Sequence, residues 1–262
     1  MRHLRCSLSA AFCAGLLSLA TACHADESVP EREALPELGL MGTIPIYWGE
    51  TGNFGDVLAG GDDAHWARAQ LESDYRLNPL DTLDESSLAG IDFLLLAQPR
   101  PLSPAENVAL DAWVRGGGHL LLFADPMLTG ESRFAIGDRR RPQDVILLSP
   151  ILDHWGLALA FDEDQPAGPA LVRAAGVAIP VNLSGSIEVG AGEGDCAILA
   201  AEALAECRIG RGSALVLADA ALLDLHESHP GAAAALHWLT ARAFAQNGDG
   251  AGESPSDGAA AQ

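Results

Sequence analysis

Two runs of large apolar residues dominate the middle of the chain, and a segment of helical length separates them. IDFLLLAQ (91–98) and HLLLFAD (119–125) are continuous rather than alternating, which is typical of parallel strands covered on both faces. The segment between them opens with Ser103, Pro104 and Glu106, the residues of a capped helix start, and it ends in three glycines. A strand, a helix and a second strand predict a right-handed βαβ unit.

The remaining pattern extends this unit into an open, mostly parallel α/β sheet of three layers. SALVLADAALL (213–223) is a third buried strand, and short Gly- and Pro-containing stretches at about 165–212 predict an insertion of antiparallel β-hairpins. Pro79 interrupts a weaker run and marks an edge strand. The other predicted elements are a first strand at 43–48 (TIPIYW), a helix at 62–74, a surface loop at 129–144, a short helix that ends at Gly156 and a closing helix at 231–244.

The N-terminal residues have the order of a secretory signal: basic positions, an apolar run at 8–22 and small residues before the first acids. We therefore expect a signal peptide at 1–25 and a periplasmic protein. Lipidation of Cys23 is an alternative, because Ala20-Thr21-Ala22 before it resembles a bacterial lipoprotein signal. An uncleaved anchor is another, although the apolar run is shorter than a usual span of about 20 residues. The rest of the expected organisation is a linker at 26–42, one α/β domain at 43–246 and a disordered tail at 247–262.

The charge of the chain excludes several classes of partner. There are 15 basic residues against 36 acidic ones, a formal net charge of −21, and none of the basic residues is Lys. Nucleic acids and anionic lipids are bound by clustered Lys and Arg that displace counterions, so neither is an expected partner. A Walker phosphate loop also needs Lys. The one basic cluster, Arg139 to Arg141, is explained by internal ion pairs or a solvated loop.

Two cysteines, Cys196 and Cys207, remain in an oxidising compartment once the signal is removed. If Ala201-Glu202 forms the turn of a hairpin, these cysteines lie directly opposite each other, within disulfide range for a non-hydrogen-bonded antiparallel pair. Ala-Glu is a poor sequence for such a turn, and two buried free thiols are the alternative. We expect the disulfide.

Polar residues follow the predicted strands at the edge where open parallel sheets bind ligands. Carboxylates at this edge suit a cation or a polyol, and Arg100 suits an acid or would neutralise the Asp pair. Alternatively, Asp125 and Asp219 simply cap or turn the chain after each strand. The candidate ligand or partner crevice consists of Trp48, Glu50, Gln98, Arg100, Asp125 and Asp219.

No residue is placed by its neighbours as a nucleophile. A Gly-x-Ser-x-Gly turn follows none of the predicted core strands. His226 and His229 have metal-like spacing but lack further ligands, so surface polar residues are the better interpretation. We therefore expect no catalytic residue, no metal and no cofactor.

The block FLLLAQPRPLSPAENVALDAWVRGGGHLLLFADPML (93–128) resembles the core of the gliding-motility-associated ABC-transporter auxiliary family (GldG-like). That core has a strand, a P-x-x-L-S turn, a helix ending in Gly-Gly and a strand ending in Asp-Pro. LLSPILDHWGLAL, RIGRGSALVLADAALL and AALHWL resemble later segments of the same family. The resemblance implies a flavodoxin-like fold related to class I glutamine amidotransferases, without their nucleophile. Members of the family are typically membrane-anchored partners of an ABC transporter, so the resemblance also implies a transporter as partner.

The predicted function is an exported, non-enzymatic binding or assembly module of the bacterial cell envelope, with an ABC transporter or another envelope protein as its partner. One alternative is a periplasmic hydrolase that uses Asp125 and Asp219 as general acid and base. The other is a periplasmic solute-binding protein that holds a small polar ligand in the same crevice.

Overall fold

The middle strands of the central sheet are buried along their whole length, which shows that both faces of the sheet are covered. β3 (Phe93–Ala97) and β4 (His119–Phe123) contain only buried residues. In β3, Leu95 belongs to one apolar cluster and the adjacent Leu94 to another. Successive side chains of a strand point to opposite faces, so the sheet separates two cores and forms the middle layer of three.

The structure is a computed structural model that describes residues 35–50, 65–224 and 231–245. These residues belong to one compact unit that begins at Leu35. Several sequence predictions concern residues outside the described ones: the signal peptide at 1–25, lipidation of Cys23, the helix start at 62–64, His226 and His229, and the tail at 247–262.

Five further strands join β3 and β4: β1 (Glu37–Gly42), β2 (Arg76–Pro79), β9 (Asp195–Ala200), β10 (Leu204–Ile209) and β11 (Gly212–Leu217). The order across the sheet is β2-β1-β3-β4-β11-β10-β9. The first five strands are parallel, and β10 and β9 add two antiparallel strands at one end. The predicted α/β class with a mostly parallel sheet is therefore confirmed, and β2, which ends at Pro79, is an edge strand as predicted.

Helices pack on both faces, and they are α1 (Trp66–Asp74), α2 (Glu85–Leu88), α3 (Pro104–Arg115), α4 (Ser149–Trp155), α5 (Ala221–Asp224) and α6 (Ala232–Ala243). α1 and α6 bury Leu71 and Leu239 in the cluster on one face. α3 and α4 bury Leu110 and Trp155 in the cluster on the other. None of the helices that the structure describes is long and apolar enough to cross a membrane.

α3 begins as its sequence predicts. The Ser103 hydroxyl accepts the Glu106 N–H at 3.2 Å, and the Glu106 carboxylate accepts the Ser103 N–H at 2.9 Å, which completes a capping box. Pro104 occupies the first helical position. α4 ends at Gly156, whose φ of 89° is left-handed and suits glycine. Both predicted helix boundaries are confirmed.

The first strand lies earlier in the chain than predicted. β1 falls within 26–42, which was predicted as a linker, and residues 43–48, predicted as the strand, form a turn after it. The sequence of β1 contains glycines, which weaken a strand signal. Gly42 is required by packing, because a Cβ there would lie 2.1 Å from the carbonyl oxygen of Ala97 on β3. The prediction is wrong because a contact distant in sequence outweighs local propensity.

The segment at about 165–212, predicted as a hairpin insertion, divides between the central sheet and two small sheets. β5 (Leu157–Ala160) pairs with β8 (Ser186–Val189), and β6 (Pro169–Ala174) pairs with β7 (Val177–Asn182), both antiparallel. β9 and β10 instead continue the central sheet, because β10 pairs along its whole length with β11. Hairpin signals are local and do not reveal which sheet a hairpin joins.

Cys196 and Cys207 form a disulfide across β9 and β10. They face each other in the strand register, and their Cα atoms are 4.0 Å apart. Ala201 and Glu202 form the turn with φ of 44° and 55°. Two adjacent residues at positive φ are typical of a type I′ turn, which usually contains Asn or Gly. The predicted bridge and turn are both confirmed.

Loss of the Cys196–Cys207 disulfide should lower the free energy of unfolding by about 3 kcal/mol, because the bridge closes a loop with a sequence separation of 11. Urea unfolding of the oxidised protein with and without reductant measures the change. The double variant Cys196→Ala/Cys207→Ala is the control, and reductant should leave its midpoint unchanged. Equal midpoints for the oxidised and reduced wild-type protein would contradict the prediction.

Candidate functional site

Three buried polar side chains lie where three parallel strands end. β3, β4 and β11 run in the same direction, so their carboxyl ends share one edge of the sheet, here called the carboxyl edge. Gln98 follows β3, Asp125 follows β4 and Asp219 comes shortly after β11. None of the three has exposed surface. We call Gln98, Asp125 and Asp219 the strand-end cluster, and its hydrogen bonds determine what chemistry the edge offers.

The Gln98 side-chain amide makes two hydrogen bonds to the backbone of Asp125. A backbone peptide group of an adjacent strand would make the same kind of bonds. Its Oε1 accepts the Asp125 N–H at 2.8 Å, and its Nε2 donates to the carbonyls of Asp125 and Gln143, both at 2.9 Å. Gln98 has a left-handed φ of 49°, which costs a residue with a side chain roughly 1–2 kcal/mol. Three buried hydrogen bonds offset that cost at about 1 kcal/mol each. These hydrogen bonds therefore hold the ends of β3 and β4 together.

The carboxylate of Asp125 links the end of β4 to the end of β11. Its Oδ1 accepts the Met127 N–H at 2.8 Å, and its Oδ2 accepts the Ala220 N–H at 3.0 Å. Burial away from water raises the pKa of Asp125 to about 6, against the lowering effect of these two hydrogen bonds. The carboxyl group therefore exchanges its proton closer to neutral pH than an ordinary Asp does.

Asp219 repeats this arrangement after β11. Its Oδ1 accepts the Ala221 N–H two residues further on, at 2.7 Å, just as Asp125 accepts the N–H of Met127. Its Oδ2 accepts the Asn182 N–H at 2.9 Å, which attaches β7 to the edge. Each Asp closes the turn after its own strand and also holds a neighbouring segment. The carboxylates thus make the bonds expected of the capping alternative.

Arg100 is committed to a different carboxylate. Its guanidinium forms a bidentate ion pair with Glu106 at 3.0 and 2.7 Å and donates to the Asp81 carbonyl at 2.9 Å. This pair holds the pKa of Glu106 down to about 2. The prediction that Arg100 neutralises the Asp pair is wrong, because Glu106 on the first turn of α3 satisfies it instead.

The two predicted residues nearest the N-terminus also have separate surroundings. Trp48 is 69% exposed. Glu50 is buried and accepts the Arg133 N–H at 2.9 Å, with the Arg133 Nε at 3.9 Å. Glu50 therefore attaches the segment after β1 to the loop that contains Arg133. The six predicted residues are thus the three of the strand-end cluster, one member of each of two separate ion pairs, Arg100 and Glu50, and one exposed ring, Trp48.

Residues other than the six predicted ones complete these interactions. The Thr43 hydroxyl donates to the Gln98 carbonyl at 2.5 Å and accepts the Gln143 N–H at 2.9 Å. The Asn182 side chain donates to the Thr129 hydroxyl at 3.0 Å. Asn182 ends β7, so the rule that polar residues follow strands would have found it. Thr43 and Gln143 lie far apart in the chain and give no local signal.

The carboxylate oxygens of the strand-end cluster face backbone N–H groups. Within residues 35–50, 65–224 and 231–245, no group of three or more His, Cys, Asp or Glu side chains could hold a metal ion. Asp125 and Asp219 accept backbone N–H groups, which direct positive hydrogens toward the oxygen atoms that a cation would need. The arrangement stabilises turns.

Part of the chain matches a known family. Residues 55–163 match the family described as an ABC-type uncharacterized transport system. The matched stretch includes 93–128, the block that resembles the ABC-transporter auxiliary family, and the match supports that resemblance over this part of the chain. No curated protein matches the sequence.

Solved structures with some similarity share little sequence with the chain. An exo-β-1,4-mannosidase from Opitutaceae bacterium strain TAV5 aligns at 14% identity and a TM-score of 0.44, over 80% of this chain and 34% of that one. A β-galactosidase from Rahnella sp. R3 aligns at 13% identity and 0.46, over 80% and 31%. A ThuA-like protein from Bacteroides uniformis aligns at 10% identity and 0.44, over 80% and 94%. The chain spans about a third of the length of the two glycosidases.

Replacement of Asp125 by Asn should flatten the dependence of stability on pH between about pH 4 and pH 6. The folded pKa of about 6 lies above the ordinary 3.8, so the folded protein binds the proton more tightly and stability is lost as the pH rises through this range. A shift of this size corresponds to about 3 kcal/mol. Urea unfolding across the range measures the wild-type slope and its loss in the variant.

The control for this experiment is Asp164, an exposed carboxylate outside the cluster. Asp164→Asn should keep the wild-type slope. If Asp125→Asn also kept it, another group would be responsible for the titration and the assignment to Asp125 would be wrong.

Replacement of Arg100 by Gln should lower the free energy of unfolding by about 2 kcal/mol at neutral pH, because the buried Glu106 carboxylate would lose its ion-pair partner. The folded pKa of Glu106 lies below the ordinary 4.5, so this contribution is present above that pH and disappears as the pH falls toward about 2. The difference between wild type and variant should therefore shrink in acid, as measured by urea unfolding.

Arg208→Gln is the matched control, because Arg208 and its partner Asp195 both have side chains that are 73% exposed. That change should cost about 0.5 kcal/mol or less. Equal costs at the two arginines would contradict the role assigned to Arg100.

Proposed function

We propose that this protein is an exported, non-enzymatic binding module of the bacterial cell envelope that acts as an auxiliary protein of an ABC transporter. The observation that carries the proposal is the environment of the strand-end carboxylates. Asp125 and Asp219 have no exposed surface, and their oxygens accept backbone N–H groups that close turns. Side chains committed in this way maintain the shape of the edge and leave its outer surface for a partner.

The strand order supports an enzyme-like scaffold without the nucleophile of the enzyme. The order β2-β1-β3-β4-β11 corresponds to the 2-1-3-4-5 order of flavodoxin-like sheets, whose ligands bind beyond the carboxyl ends of the strands. A GldG-like, glutamine amidotransferase-like fold is therefore part of the proposal. Asp125-Pro126 follows β4, at a position where α/β enzymes often carry a nucleophile, and a fully buried carboxylate is poorly placed to attack a substrate.

The family match supports the link to a transporter. Residues 55–163 include β3, α3 and β4, and with them Gln98 and Asp125 of the strand-end cluster. Export is proposed from the order of basic, apolar and small residues in 1–25. Lipidation of Cys23 is the alternative processing route, and it would hold the protein at a membrane surface.

Exposed apolar side chains at the carboxyl edge supply a surface for the transporter subunit. Two segments run side by side there, because the Leu128 N–H donates to the Asp144 carbonyl at 2.9 Å. Leu128 and Ile146 are buried, whereas Met127 before Leu128 and the two residues that flank Ile146 are between 42% and 57% exposed. Exposed apolar patches mark protein interaction sites. We define the carboxyl-edge surface as Met127, Val145 and Leu147.

A periplasmic hydrolase that uses Asp125 and Asp219 is the second candidate. The raised pKa of Asp125 favours it, because a general acid works best with a pKa near the operating pH. The burial of both carboxylates opposes it, since a general acid must come within hydrogen-bond reach of its substrate. Turnover of glycan or peptide substrates by the purified protein, abolished in Asp125→Asn, would establish the hydrolase and overturn the binding module.

A solute-binding protein is the remaining alternative. A thermal-shift screen of sugars, amino acids and divalent cations separates it from an assembly module, because a bound ligand stabilises the folded state by mass action. A specific, saturable shift with one of these compounds would favour the solute-binding function.

A photoreactive residue at position Val145 should crosslink to a membrane subunit of an ABC transporter in intact cells, because Val145 belongs to the carboxyl-edge surface. Mass spectrometry of the purified adduct identifies the partner. Val108 is the matched control: it is an apolar residue of α3, 71% exposed, outside this surface. The Val108 position should give no transporter adduct.

The transporter proposal fails if the Val145 and Val108 positions give the same adducts, or if neither captures a transporter subunit. Analysis of the N-terminus of the mature protein tests export separately. Cleavage after Ala25 should leave Asp26 as the first residue, whereas a lipoprotein would begin at a modified Cys23.

A further inference from the structure

The two edge strands of the central sheet differ in how they discourage pairing with another strand. β2 carries the charged Arg76 and ends at Pro79, which has no N–H to donate. β9 also begins with a charged residue, Asp195, but it contains no proline, and the four residues after Asp195 are the uncharged Cys-Ala-Ile-Leu. Ile198 and Leu199 are 38% and 37% exposed. Adjacent residues of a strand point to opposite faces, so β9 is incompletely covered on both.

The outer edge of β9 presents backbone groups that have no partner in the described chain. Cys196 and Cys207 form a non-hydrogen-bonded pair, as their Cα separation of 4.0 Å and their disulfide indicate. The N–H and C=O of Cys196 therefore point away from β10, and those of Ile198 do so by the alternation of the strand. Among the residues that the structure describes, no other backbone group hydrogen-bonds to these two donors and two acceptors.

We propose that β9 is a self-association surface, which pairs antiparallel with β9 of a second copy about a two-fold axis at Ala197. In this register, Cys196 of each copy lies opposite Ile198 of the other. Residues opposite each other in a hydrogen-bonded pair exchange two hydrogen bonds. The dimer therefore gains four interchain hydrogen bonds, which satisfy both donors and both acceptors of each strand.

Other registers of the same strand leave some of these groups unpaired. A shift of the register in one direction requires Gly194, whose N–H already donates to the carbonyl of Trp155. A shift in the other direction requires Ala200, whose carbonyl already accepts the N–H of Ala203. The register centred on Ala197 is the one in which the free groups of two identical strands complement each other.

The charges of β9 are compatible with this dimer. Asp195 of one copy lies opposite Leu199 of the other, so the two Asp195 side chains are separated by about four residues along the strands, or roughly 13 Å. That distance exceeds the Debye length of about 8 Å at physiological salt. Asp195 also pairs with Arg208 of its own chain. The disulfide holds β9 on β10, so the edge is ordered before it meets a partner.

Sedimentation analysis of the full, oxidised protein tests the proposal, and it does not depend on the transporter function. We expect a dimer that dissociates on dilution. The formal net charge of −21 opposes association at long range, so the dissociation constant should fall as salt is added. A monomer at every concentration, or a dimer that dissociates when salt is added, would overturn the proposal.

Charge substitutions at the two-fold axis test the register. Ala197→Lys and Ala197→Glu each place two like charges directly opposite one another and should raise the dissociation constant up to about fivefold. An equal mixture of the two variants should recover the dimer, because the charges are then opposite. Ala197 is exposed, so neither change disturbs the core.

Ala112→Lys is the matched control, because Ala112 is an exposed alanine on α3. It should associate like the wild-type protein. The proposal is wrong if the Ala197 variants associate as well as Ala112→Lys does, or if mixing Ala197→Lys with Ala197→Glu fails to restore the dimer.

Discussion

Polar groups enclosed between the two apolar cores need hydrogen-bond partners inside the protein, and the carboxyl edge of the sheet depends on this constraint. β3 and β4 are covered on both faces, so the groups just beyond them have little access to water. A buried polar group without a partner costs about 1–3 kcal/mol. The Gln98 amide and the Asp125 carboxylate meet the requirement by binding backbone groups of neighbouring turns. The conformations of those turns follow from these bonds.

A hydrogen bond of Asp125 connects the buried strand-end cluster with the exposed carboxyl-edge surface. Met127 comes two residues after Asp125, and its N–H donates to the Asp125 carboxylate. The turn that this bond closes buries Leu128 and leaves the Met127 side chain 42% exposed. A buried carboxylate and an exposed apolar side chain are thus consequences of one turn. This is why a residue that resembles a catalytic strand-end Asp supports a proposal about binding.

Sequence patterns were sufficient where the interacting residues are close in the chain. β3, α3 and β4 were predicted because their apolar runs, helix cap and glycine stop occupy consecutive residues, and the disulfide because its turn and register are local. β1 was missed because Gly42, a poor strand residue, makes room for a carbonyl of β3. Neutralisation of the Asp pair was one of two interpretations of Arg100, and it is wrong because proximity in space, which the sequence does not show, decides between Glu106 and Asp125. Thr43 was missed for the same reason.

The carboxyl edge, β2 and β9 differ in whether their backbone groups have hydrogen-bond partners within the protein. At the carboxyl edge, the side chains of Gln98, Asp125 and Asp219 accept backbone N–H groups of the neighbouring turns. At β2, Pro79 removes a donor at the end of the strand. At β9, the disulfide takes up the two side chains of one cross-strand pair and leaves the outward backbone groups of Cys196 to be satisfied by water or by another strand. Among the strands that the structure describes, β9 therefore keeps outward backbone groups that can pair with another chain.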